Sequence, residues 1–583
     1  MTGAMIDLVR LPPRSGFSGR RIGIIALAIA GMGVVMIWRL VSLQVLEPEA
    51  YVEHGENQRI RTAELAAERG AIVDRNGVEL VVSSPRQSIW ADPRLVDFGA
   101  ESETAAQIAA LTGADPEQLT RRLTADGEVK FAWMARQLDD KTAAEVLALG
   151  LPGIYSIEEQ ARLTPSGGNV ARGILGSTDI DGNGVSGLES QYHETLTGDS
   201  GRIVVERGLA GVTIPDGRYE LVSPEAGDSL VLTLDRTVQF EVEKLLEQTV
   251  AESGAKSGTV IVSKTATGEI LAMSTVARGN DGIIQVSGEN KAVTWIVEPG
   301  SISKPIAIGA LLEEDLISAD TTVEVTDELA LYDVQFADEV RHDQDTMTTG
   351  QVLANSSNVG VALLIDRITD EKFYDYMVDF GIGSPTALDF PGESSGILHD
   401  LDDWSGVSKP FAGIGYGYSA TPLQMLRAYN VFANDGVLVE PHVVAQVRSS
   451  EGEFEIKSPR DGRRVVSSET AREMSALLAG VVAEGGTGEL ASVPGYQIAG
   501  KTGTARMLQP NGTYFDEDGD VRLLTSFAGY LPAGNPELSI MVMIEEPEGD
   551  ASGGRIAAPL FGEISNFALA HLRIPPAAAL ADQ

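Results

Sequence analysis

The chain has 583 residues, of which 43% are hydrophobic and 22% are charged, a composition typical of globular domains with sizeable cores. It carries 44 lysine and arginine residues against 84 aspartate and glutamate residues, a net charge of −40 that favours solubility. Such a charge argues against nucleic acid, because a broad acidic surface cannot neutralise phosphates. Without cysteine, the chain has no disulfides, thiolate nucleophiles or cysteine-based zinc sites.

The first predicted element is a membrane anchor. Residues 22–38 are all apolar or glycine, a run that spans about 25 Å as a helix, and apolar residues continue beyond Arg39 toward the ~30 Å of a hydrocarbon core. Basic residues precede the run and acidic residues follow it. The positive-inside rule therefore predicts a cytoplasmic tail at 1–21, a transmembrane helix at 22–46 and an extracytoplasmic remainder. The alternative is a cleaved signal peptide, whose small-residue site at 26–28 would lie inside the apolar run.

Residues 47–225 are predicted to form a separate extracytoplasmic region. Residues 69–77 (Arg-Gly-Ala-Ile-Val-Asp-Arg-Asn-Gly) predict a strand leading into a turn, and an Ala-, Glu- and Leu-rich pattern predicts helix around 101–149. Residues 179–189 resemble a calcium loop. The acidic ligand such a loop needs at its twelfth position falls at the eleventh, Glu189, so a glycine-rich turn is the better interpretation.

Residues 226–573 are predicted to form a compact module of helices and strands, followed by a frayed tail at 574–583. The stretch from Ser301 to about 435 is predicted to be mostly helical. The other predicted elements are helices at 235–252 and 557–572, a hairpin of strands at 259–263 and 269–274, and strands at 498–505, 525–530 and 538–545. This order predicts an α+β fold, in which a mixed, largely antiparallel sheet carries helices on its faces.

Three short motifs in this module predict a catalytic site. Ser301 and Lys304 form S-x-x-K at the start of a predicted helix, where residues three apart share a face. Ser356-Ser357-Asn358 follows as S-x-N, and Lys501-Thr502-Gly503-Thr504 as K-T-G at the end of a predicted strand. Each motif alone occurs by chance, but the three in this order form the signature of penicillin-binding proteins and serine β-lactamases.

The chemistry of acyl transfer gives the first two motifs a task. Ser301 would attack a carbonyl, and Lys304 would accept its proton if burial or a neighbouring cation keeps the lysine neutral. Ser356 can relay a proton between Lys304 and the leaving amine. Asn358 can hold the lysine and the substrate amide.

The third motif is suited to binding. Lys501 supplies positive charge, and Thr502 and Thr504 in the Lys501–Thr504 segment, which includes Gly503, can bind a substrate carboxylate. The backbone N–H groups of Ser301 and Thr504 are the expected oxyanion hole, in which one donor contributes about 3 kcal/mol to lowering a barrier.

The chain resembles the class B penicillin-binding proteins from the predicted anchor to the closing helix. Segments 69–77, 162–165 and 184–189 look like the family's N-terminal motifs. The segments that look like its catalytic module are 298–301, 356–360, 415–417, 421–424 and 501–504. The resemblance implies a dimerisation-type pedestal at 47–225 and a penicillin-binding transpeptidase domain at 226–573.

The resemblance also implies an activity, that of a peptidoglycan D,D-transpeptidase. Ser301 would attack the penultimate D-Ala of a stem peptide ending in D-Ala-D-Ala, an acceptor amine would resolve the acyl-enzyme, and β-lactams would mimic the donor. Segments 69–77 and 526–530 look most like the cell-division (FtsI) type, which implies a membrane glycan polymerase and other division proteins as partners. No metal or cofactor is implied. The alternatives are an elongation-type enzyme, a D,D-carboxypeptidase and a non-catalytic β-lactam-binding scaffold or sensor.

Two departures and one competing motif stand out. Thr164 lies where the family often has an aromatic residue, and Ser303 lies before Lys304 where the family usually has a bulky residue, which predicts altered packing beside the lysine. Residues 495–502 match the P-loop pattern of ATPases. A P-loop must open a helix, however, and no helical pattern follows Lys501.

Overall fold

A computed structural model of the protein describes residues 19–46, 59–124, 129–165, 169–206, 219–332, 334–388, 390–456, 462–509, 511–516 and 519–576. Most of the predicted cytoplasmic tail and most of the predicted C-terminal tail therefore lie outside the described residues. The chain divides into two compact units, residues 1–66 with 200–224 and residues 67–199 with 225–583.

The helices and strands are numbered in chain order. The helices are α1 (Gly19–Val41), α2 (Glu101–Thr112), α3 (Pro116–Leu123), α4 (Asp140–Ala148), α5 (Arg172–Leu175), α6 (Gly187–Gln191), α7 (His193–Thr197), α8 (Arg236–Glu252), α9 (Lys291–Thr294), α10 (Lys304–Glu313), α11 (Thr349–Ala354), α12 (Asn358–Ile365), α13 (Asp370–Asp379), α14 (Ser408–Ile414), α15 (Pro422–Ala433), α16 (Ser468–Val482) and α17 (Ala558–Leu572). The strands are β1 (Ile60–Leu65), β2 (Ile72–Val73), β3 (Glu79–Ala91), β4 (Ala132–Leu138), β5 (Ile154–Leu163), β6 (Ser177–Thr178), β7 (Gly184–Ser186), β8 (Gly201–Glu206), β9 (Tyr219–Val222), β10 (Ser229–Leu232), β11 (Ser257–Lys264), β12 (Ile270–Arg278), β13 (Ile284–Val286), β14 (Thr322–Val325), β15 (Glu328–Leu331), β16 (Val334–Ala337), β17 (Asp345–Thr348), β18 (Val437–Leu438), β19 (Val444–Arg448), β20 (Phe454–Ile456), β21 (Arg463–Arg464), β22 (Ala499–Arg506), β23 (Leu523–Leu531) and β24 (Leu538–Glu545).

The first unit contains the predicted anchor. Helix α1 continues into a π-helical turn at Ser42–Leu46, and the two together contain residues 22–46. Within Gly19–Gln44, an 18-residue window has a mean hydropathy of 2.3, and the helix is long and apolar enough to cross a membrane. The unit also holds a three-stranded antiparallel sheet in the order β1-β8-β9.

A six-stranded antiparallel sheet lies at the centre of the second unit, in the order β13-β12-β11-β24-β23-β22. Its hairpin β11-β12 and its strands β22 to β24 confirm the strands predicted from the sequence. The strands are buried on both sides, because α8 and α17 cover one face and α10, α15 and α16 cover the other. Such two-sided burial explains why β24 is a continuous apolar run. The stretch predicted to be mostly helical also carries the four short strands β14 to β17.

A second sheet joins the N-terminal region to the middle of the chain, in the order β20-β19-β10-β2-β3-β4, with β5 also paired to β3. The pair β2-β10 is parallel, so the fold is α+β with a mixed, largely antiparallel set of strands, as predicted. The helical pattern predicted around 101–149 is wrong at β4. There Trp133 of β4 pairs with Trp90 of β3, and cross-strand packing outweighs local helix propensity.

Side-chain-to-backbone hydrogen bonds and an ion pair hold the turn at residues 179–189. The Asp179 carboxylate accepts the backbone N–H groups of Asp181 and Asn183, and the Asp181 carboxylate pairs with Arg136 at 2.7 Å. Among the described residues no cluster of three acidic or histidine side chains is arranged to hold a metal ion.

The turn after β2 explains the Asp-Arg-Asn-Gly segment. The Asp74 carboxylate accepts the N–H groups of Asn76 and Val78 inside the turn, and also the N–H of Arg236 at the start of α8. The Asn76 side chain donates to Asp235, the N-cap of α8. This segment therefore ties the N-terminal region to the first helix of the predicted catalytic module.

The three N-terminal motifs meet in one buried ion cluster. Arg69 Nε donates to Glu189 Oε2 and Arg162 Nε donates to Glu189 Oε1, both at 2.7 Å. The three side chains are 8%, 9% and 2% exposed, in the order Arg69, Arg162, Glu189. Removing one member of such a cluster leaves buried charge without compensation.

We expect Glu189→Gln to lower the free energy of unfolding by about 3–5 kcal/mol, because two buried guanidinium groups would lose their shared counter-charge. The measurement is urea unfolding of the full-length protein in detergent. Glu194→Gln, on the exposed side of the neighbouring helix α7, removes the same charge and is the control. Equal unfolding midpoints for the two variants would contradict the prediction.

Candidate active site

Ser301 lies in a 3-10 turn, Gly300–Ser303, that leads directly into α10. Gly300 has φ of +58°, and a Cβ there would approach the Cβ of Ala505 on β22 to 2.8 Å, so only glycine fits between the turn and the strand. In a 3-10 helix residues i and i+3 eclipse, which places Ser301 and Lys304 on one side, as the spacing predicts. Ser301 is half-buried beside β22.

Lys304 is fully buried, and its ammonium is held by Ser356. Nζ donates to the Ser356 carbonyl at 2.5 Å and to the Ser356 hydroxyl at 3.2 Å. Burial lowers the pKa of Lys304 to about 7, whereas the carboxylates of Asp338 and Glu339 act in the opposite direction. A large fraction of this lysine is therefore neutral near neutral pH, as a general base must be to accept a proton.

The S-x-N motif forms the entrance to α12. Ser356 has φ of +57°, a left-handed conformation that is uncommon for a non-glycine residue. Ser357 is the N-cap, and its hydroxyl accepts the Gly360 N–H at 2.8 Å. Asn358 is the first helical residue, and its side-chain amide donates to the Ala337 carbonyl at 2.8 Å. The structure thus brings Ser356 to the lysine and places Asn358 at the helix start, with its amide on the Ala337 carbonyl.

The K-T-G motif lies on β22, an edge strand of the six-stranded sheet, which packs against the Ser301 turn. A Cβ at Gly503 would approach the Ser526 hydroxyl to 2.4 Å and Ile302 Cγ2 to 3.0 Å, so this glycine allows the close approach. The hydroxyl of Thr502 donates to Thr487, and that of Thr504 accepts the Gly553 N–H. The residues predicted from all three motifs therefore converge.

Lys501 is fully buried, with Nζ donating to the Thr502 carbonyl at 2.9 Å. Burial lowers the pKa of Lys501 well below its ordinary value, and the positive charge of Lys304 adds to the effect. Burial and mutual repulsion therefore disfavour two positive charges at once in this site. A bound carboxylate would favour the charged form of Lys501, so the positive charge expected of it fits an occupied site best.

Ser303, the departure from the family pattern, is buried and hydrogen-bonded. Its hydroxyl shares a hydrogen bond of 2.5 Å with the Tyr418 hydroxyl and lies 3.3 Å from the Ala412 carbonyl. Burial raises the pKa of Tyr418, so the phenol stays protonated. The altered packing predicted beside the lysine is thus a polar pair in which each hydroxyl has a partner.

A cleft of about 390 Å³ lies beside the Ser301 turn, with Trp295, Glu298, Tyr418, Arg506 and Leu508 among its lining residues. The Glu298 carboxylate accepts hydrogen bonds from the Gly417 N–H and the Tyr514 hydroxyl. The segment before Ser301, the residues after α14 and the β22–β23 connection therefore meet at this cleft.

Sequence reasoning did not find three residues that shape this site. Asp338 follows β16 and holds the S-x-N turn, Thr487 follows α16 and meets Thr502, and Gly553 begins a π-helical turn behind Thr504. None of them belongs to a motif, and each reaches the site only through the fold. A π-helical turn itself often marks a functional site.

The P-loop interpretation of residues 495–502 is wrong. Lys501 and Thr502 lie inside β22, which pairs antiparallel with β23, and no helix begins at this point to receive a phosphate.

Comparison with protein families supports the fold of both regions. The model of the penicillin binding protein transpeptidase domain matches residues 258–566, more than half of the chain, and the model of the penicillin-binding protein dimerisation domain matches residues 64–232. Among curated relatives, the penicillin-binding protein PbpB of Mycolicibacterium smegmatis is 33% identical over 592 residues, covering 94% of this chain and 90% of the relative. The peptidoglycan D,D-transpeptidase FtsI of Escherichia coli is 31% identical over 562 residues, covering 95% and 91%.

Solved structures give the same result. The crystal structure of penicillin binding protein 3 from Mycobacterium tuberculosis complexed with ampicillin is similar with a TM-score of 0.68 and 30% identity, covering 88% of this chain and 97% of that one. A peptidoglycan synthetase from Bifidobacterium adolescentis is similar with a TM-score of 0.70 and 27% identity, covering 89% and 98%. Because the relatives span nearly the whole chain and the three motifs converge in one site, the chain belongs to the class B penicillin-binding proteins.

Proposed function

We propose that the protein is a serine-type peptidoglycan D,D-transpeptidase, with Ser301 as the nucleophile and Lys304 as the general base. The observation that carries this proposal is the fully buried Lys304, whose pKa is lowered to about 7 on the same side of the turn as Ser301. A weak serine nucleophile needs such a neutral amine close by. β-Lactams, which resemble the D-Ala-D-Ala donor, would acylate the same serine.

In the acylation step, neutral Lys304 takes the Ser301 proton as Oγ attacks the penultimate D-Ala carbonyl. The backbone N–H groups of Ser301 and Thr504 donate to the developing oxyanion. Ser356, whose hydroxyl lies 3.2 Å from Lys304 Nζ, passes the proton to the nitrogen of the leaving D-Ala. Loss of D-Ala leaves the acyl-enzyme.

In the second step, the amine of another stem peptide attacks the acyl-enzyme, with the proton moving in reverse through Ser356 and Lys304. Lys501, Thr502, Gly503 and Thr504 form the proposed subsite for the donor's terminal carboxylate, which restores the positive charge of Lys501 on binding. Asn358 at the start of α12 would hold the substrate amide.

We place α1 as a single transmembrane helix in the cytoplasmic membrane, with the N-terminus in the cytoplasm and the catalytic region outside. The charge asymmetry around the apolar run supports this orientation. We assign residues 47–225 to the pedestal and 226–573 to the transpeptidase domain. The second sheet crosses this boundary, since β10 lies between β2 and β19.

The alternatives make different chemical demands. A D,D-carboxypeptidase would use water in place of the acceptor amine, and a scaffold or sensor would need no neutral lysine. The lowered pKa of Lys304 favours a catalytic site over a binding site.

We expect the full-length protein in detergent to gain the mass of one penicillin on Ser301, and Ser301→Ala to gain none. Lys304→Ala should react at least 10²-fold more slowly, because general-base catalysis contributes 10²–10⁴-fold. Intact-protein mass spectrometry measures both. Lys141→Ala, which removes an exposed lysine of α4, is the control. A folded wild type without an adduct and without hydrolysed penicillin in solution would exclude the proposal.

The acylation rate should depend on pH through Lys304. Because only the neutral amine accepts a proton, we expect the rate to rise between pH 6 and 8 with a midpoint of about 7. Lys304→Arg, which stays charged, should be slow throughout. Stopped-flow acylation with a fluorescent penicillin measures the profile, and a flat wild-type profile would exclude Lys304 as the base.

We further propose a role in septal synthesis, since relatives over most of the chain carry the name FtsI. Depletion of the protein in its own cells should give undivided filaments, scored by microscopy. Complementation with Ser301→Ala should fail. Rounded cells would instead assign the protein to elongation.

A further inference from the structure

One buried carboxylate holds the S-x-N turn from outside the three motifs. Asp338 follows β16, and its side chain is 7% exposed. Its Oδ1 accepts the N–H groups of Asn358 at 2.5 Å and Val359 at 3.0 Å, the first two residues of α12. Its Oδ2 accepts the Ser357 hydroxyl at 2.6 Å. A single carboxylate thus fixes three consecutive residues that follow Ser356.

Ser356 needs such support, because its backbone is strained. A non-glycine residue in the left-handed region is strained and persists only where its surroundings enforce it. The conformation directs the carbonyl and hydroxyl of Ser356 to Lys304 Nζ. The contacts of Asp338 with residues 357–359 therefore act on the position of the proposed proton relay.

His342 completes the arrangement from the loop that follows Asp338. Its Nε2 lies 3.0 Å from Asp338 Oδ2, and its Nδ1 lies 2.7 Å from the Asp343 carbonyl. Both ring nitrogens therefore face acceptors, and only the doubly protonated ring donates to both. The hydrogen bond to the Asp343 carbonyl raises the pKa of His342 most, and the charged groups acting on the ring, the carboxylates of Asp338 and Asp327, also favour the imidazolium.

We propose that Asp338 and His342 are positioning residues that hold Ser356 and Asn358 in their reactive geometry, with His342 holding Asp338 most firmly while its ring is doubly protonated. The proposal rests on the proposed transpeptidase function. Neither Asp338 nor His342 is proposed to touch the substrate. Asp338 acts through the turn at 356–358, and His342 acts through Asp338.

Loss of the Asp338 charge and loss of its positioning effect should change the acylation rate in opposite directions, so the two effects can be told apart. The Asp338 carboxylate raises the pKa of Lys304, so its removal alone would increase the neutral fraction of the base and speed acylation. A slower reaction after Asp338→Asn therefore reports lost positioning.

The first experiment measures acylation of the full-length protein in detergent by a fluorescent penicillin, with the rate constant separated from the dissociation constant. Asp338→Asn keeps the size but turns an NH₂ group toward N–H or O–H donors in either orientation. We expect the rate constant to fall about 10- to 100-fold, the effect of misplacing a reacting group by about 1 Å, with little change in the dissociation constant. Asp345→Asn, an exposed charge-matched change on β17, is the control.

The second experiment uses His342, whose side chain is partly exposed, which keeps the test valid even if Asp338→Asn unfolds. The wild-type rate divided by the His342→Ala rate should be above one at pH 5.5–6.5 and fall to one as pH rises through the pKa of His342. The Lys304 dependence is common to both proteins and cancels. His342→Arg donates at every pH, so its advantage over His342→Ala should persist at pH 8.5.

The outcomes separate this proposal from the function itself. If the wild type takes no β-lactam at any pH, the proposed function fails. If the wild type reacts and Asp338→Asn reacts at the rate of Asp345→Asn, the positioning role of Asp338 is excluded. A pH-independent ratio of wild type to His342→Ala excludes the role of His342.

Discussion

Burying two lysines side by side is the constraint on which this active site depends. Removing an ammonium group from water is costly, so burial lowers the pKa of both Lys304 and Lys501, and the charge of Lys304 lowers the pKa of Lys501 further. The fold supports this only by surrounding them with fixed structure: the Ser301 turn, the entrance of α12 and strand β22. In the proposed mechanism the first lysine is the neutral base, and a substrate carboxylate would restore the positive charge of the second. The rigid packing around the two lysines therefore shifts their pKa values, as reactive side chains require.

The arrangement of the six-stranded sheet explains how such distant residues meet. Strand β11, from the start of the catalytic region, pairs with β12 on one side and with β24, from its end, on the other. The helices and hairpins between them fill the space above one face, which brings the S-x-x-K and S-x-N turns to the edge strand β22. The fold also brings the N-terminal motifs together. Arg69, Arg162 and Glu189 are far apart in the chain but share one buried ion cluster, so the charge of each is compensated only when the others are present.

The sequence predicts those parts of the molecule in which local pattern and tertiary packing agree. Helix α8 begins at its N-cap Asp235, and β11, β12 and β22 to β24 lie where apolar runs and turns placed them. Prediction fails at β4, where a strand interrupts a helical composition because its partner is the distant β3. It fails also at Asp338. Asp338 lies in a polar loop whose sequence shows no hydrophobic periodicity. It matters because it forms three hydrogen bonds to residues that only the fold brings near.

Ser303 shows how a departure from a family pattern can preserve a site. A bulky apolar residue beside the base would fill space and exclude water; a serine there introduces a buried hydroxyl that requires a partner. Tyr418 supplies it, and Tyr429 donates to the Ile302 carbonyl one residue earlier, so two phenols support the turn that carries Ser301. Both phenols are buried and remain protonated. The turn is thus held by directional bonds where shape alone would otherwise hold it, and the pairing of Ser303 with Tyr418 implies that neither residue can change independently of the other.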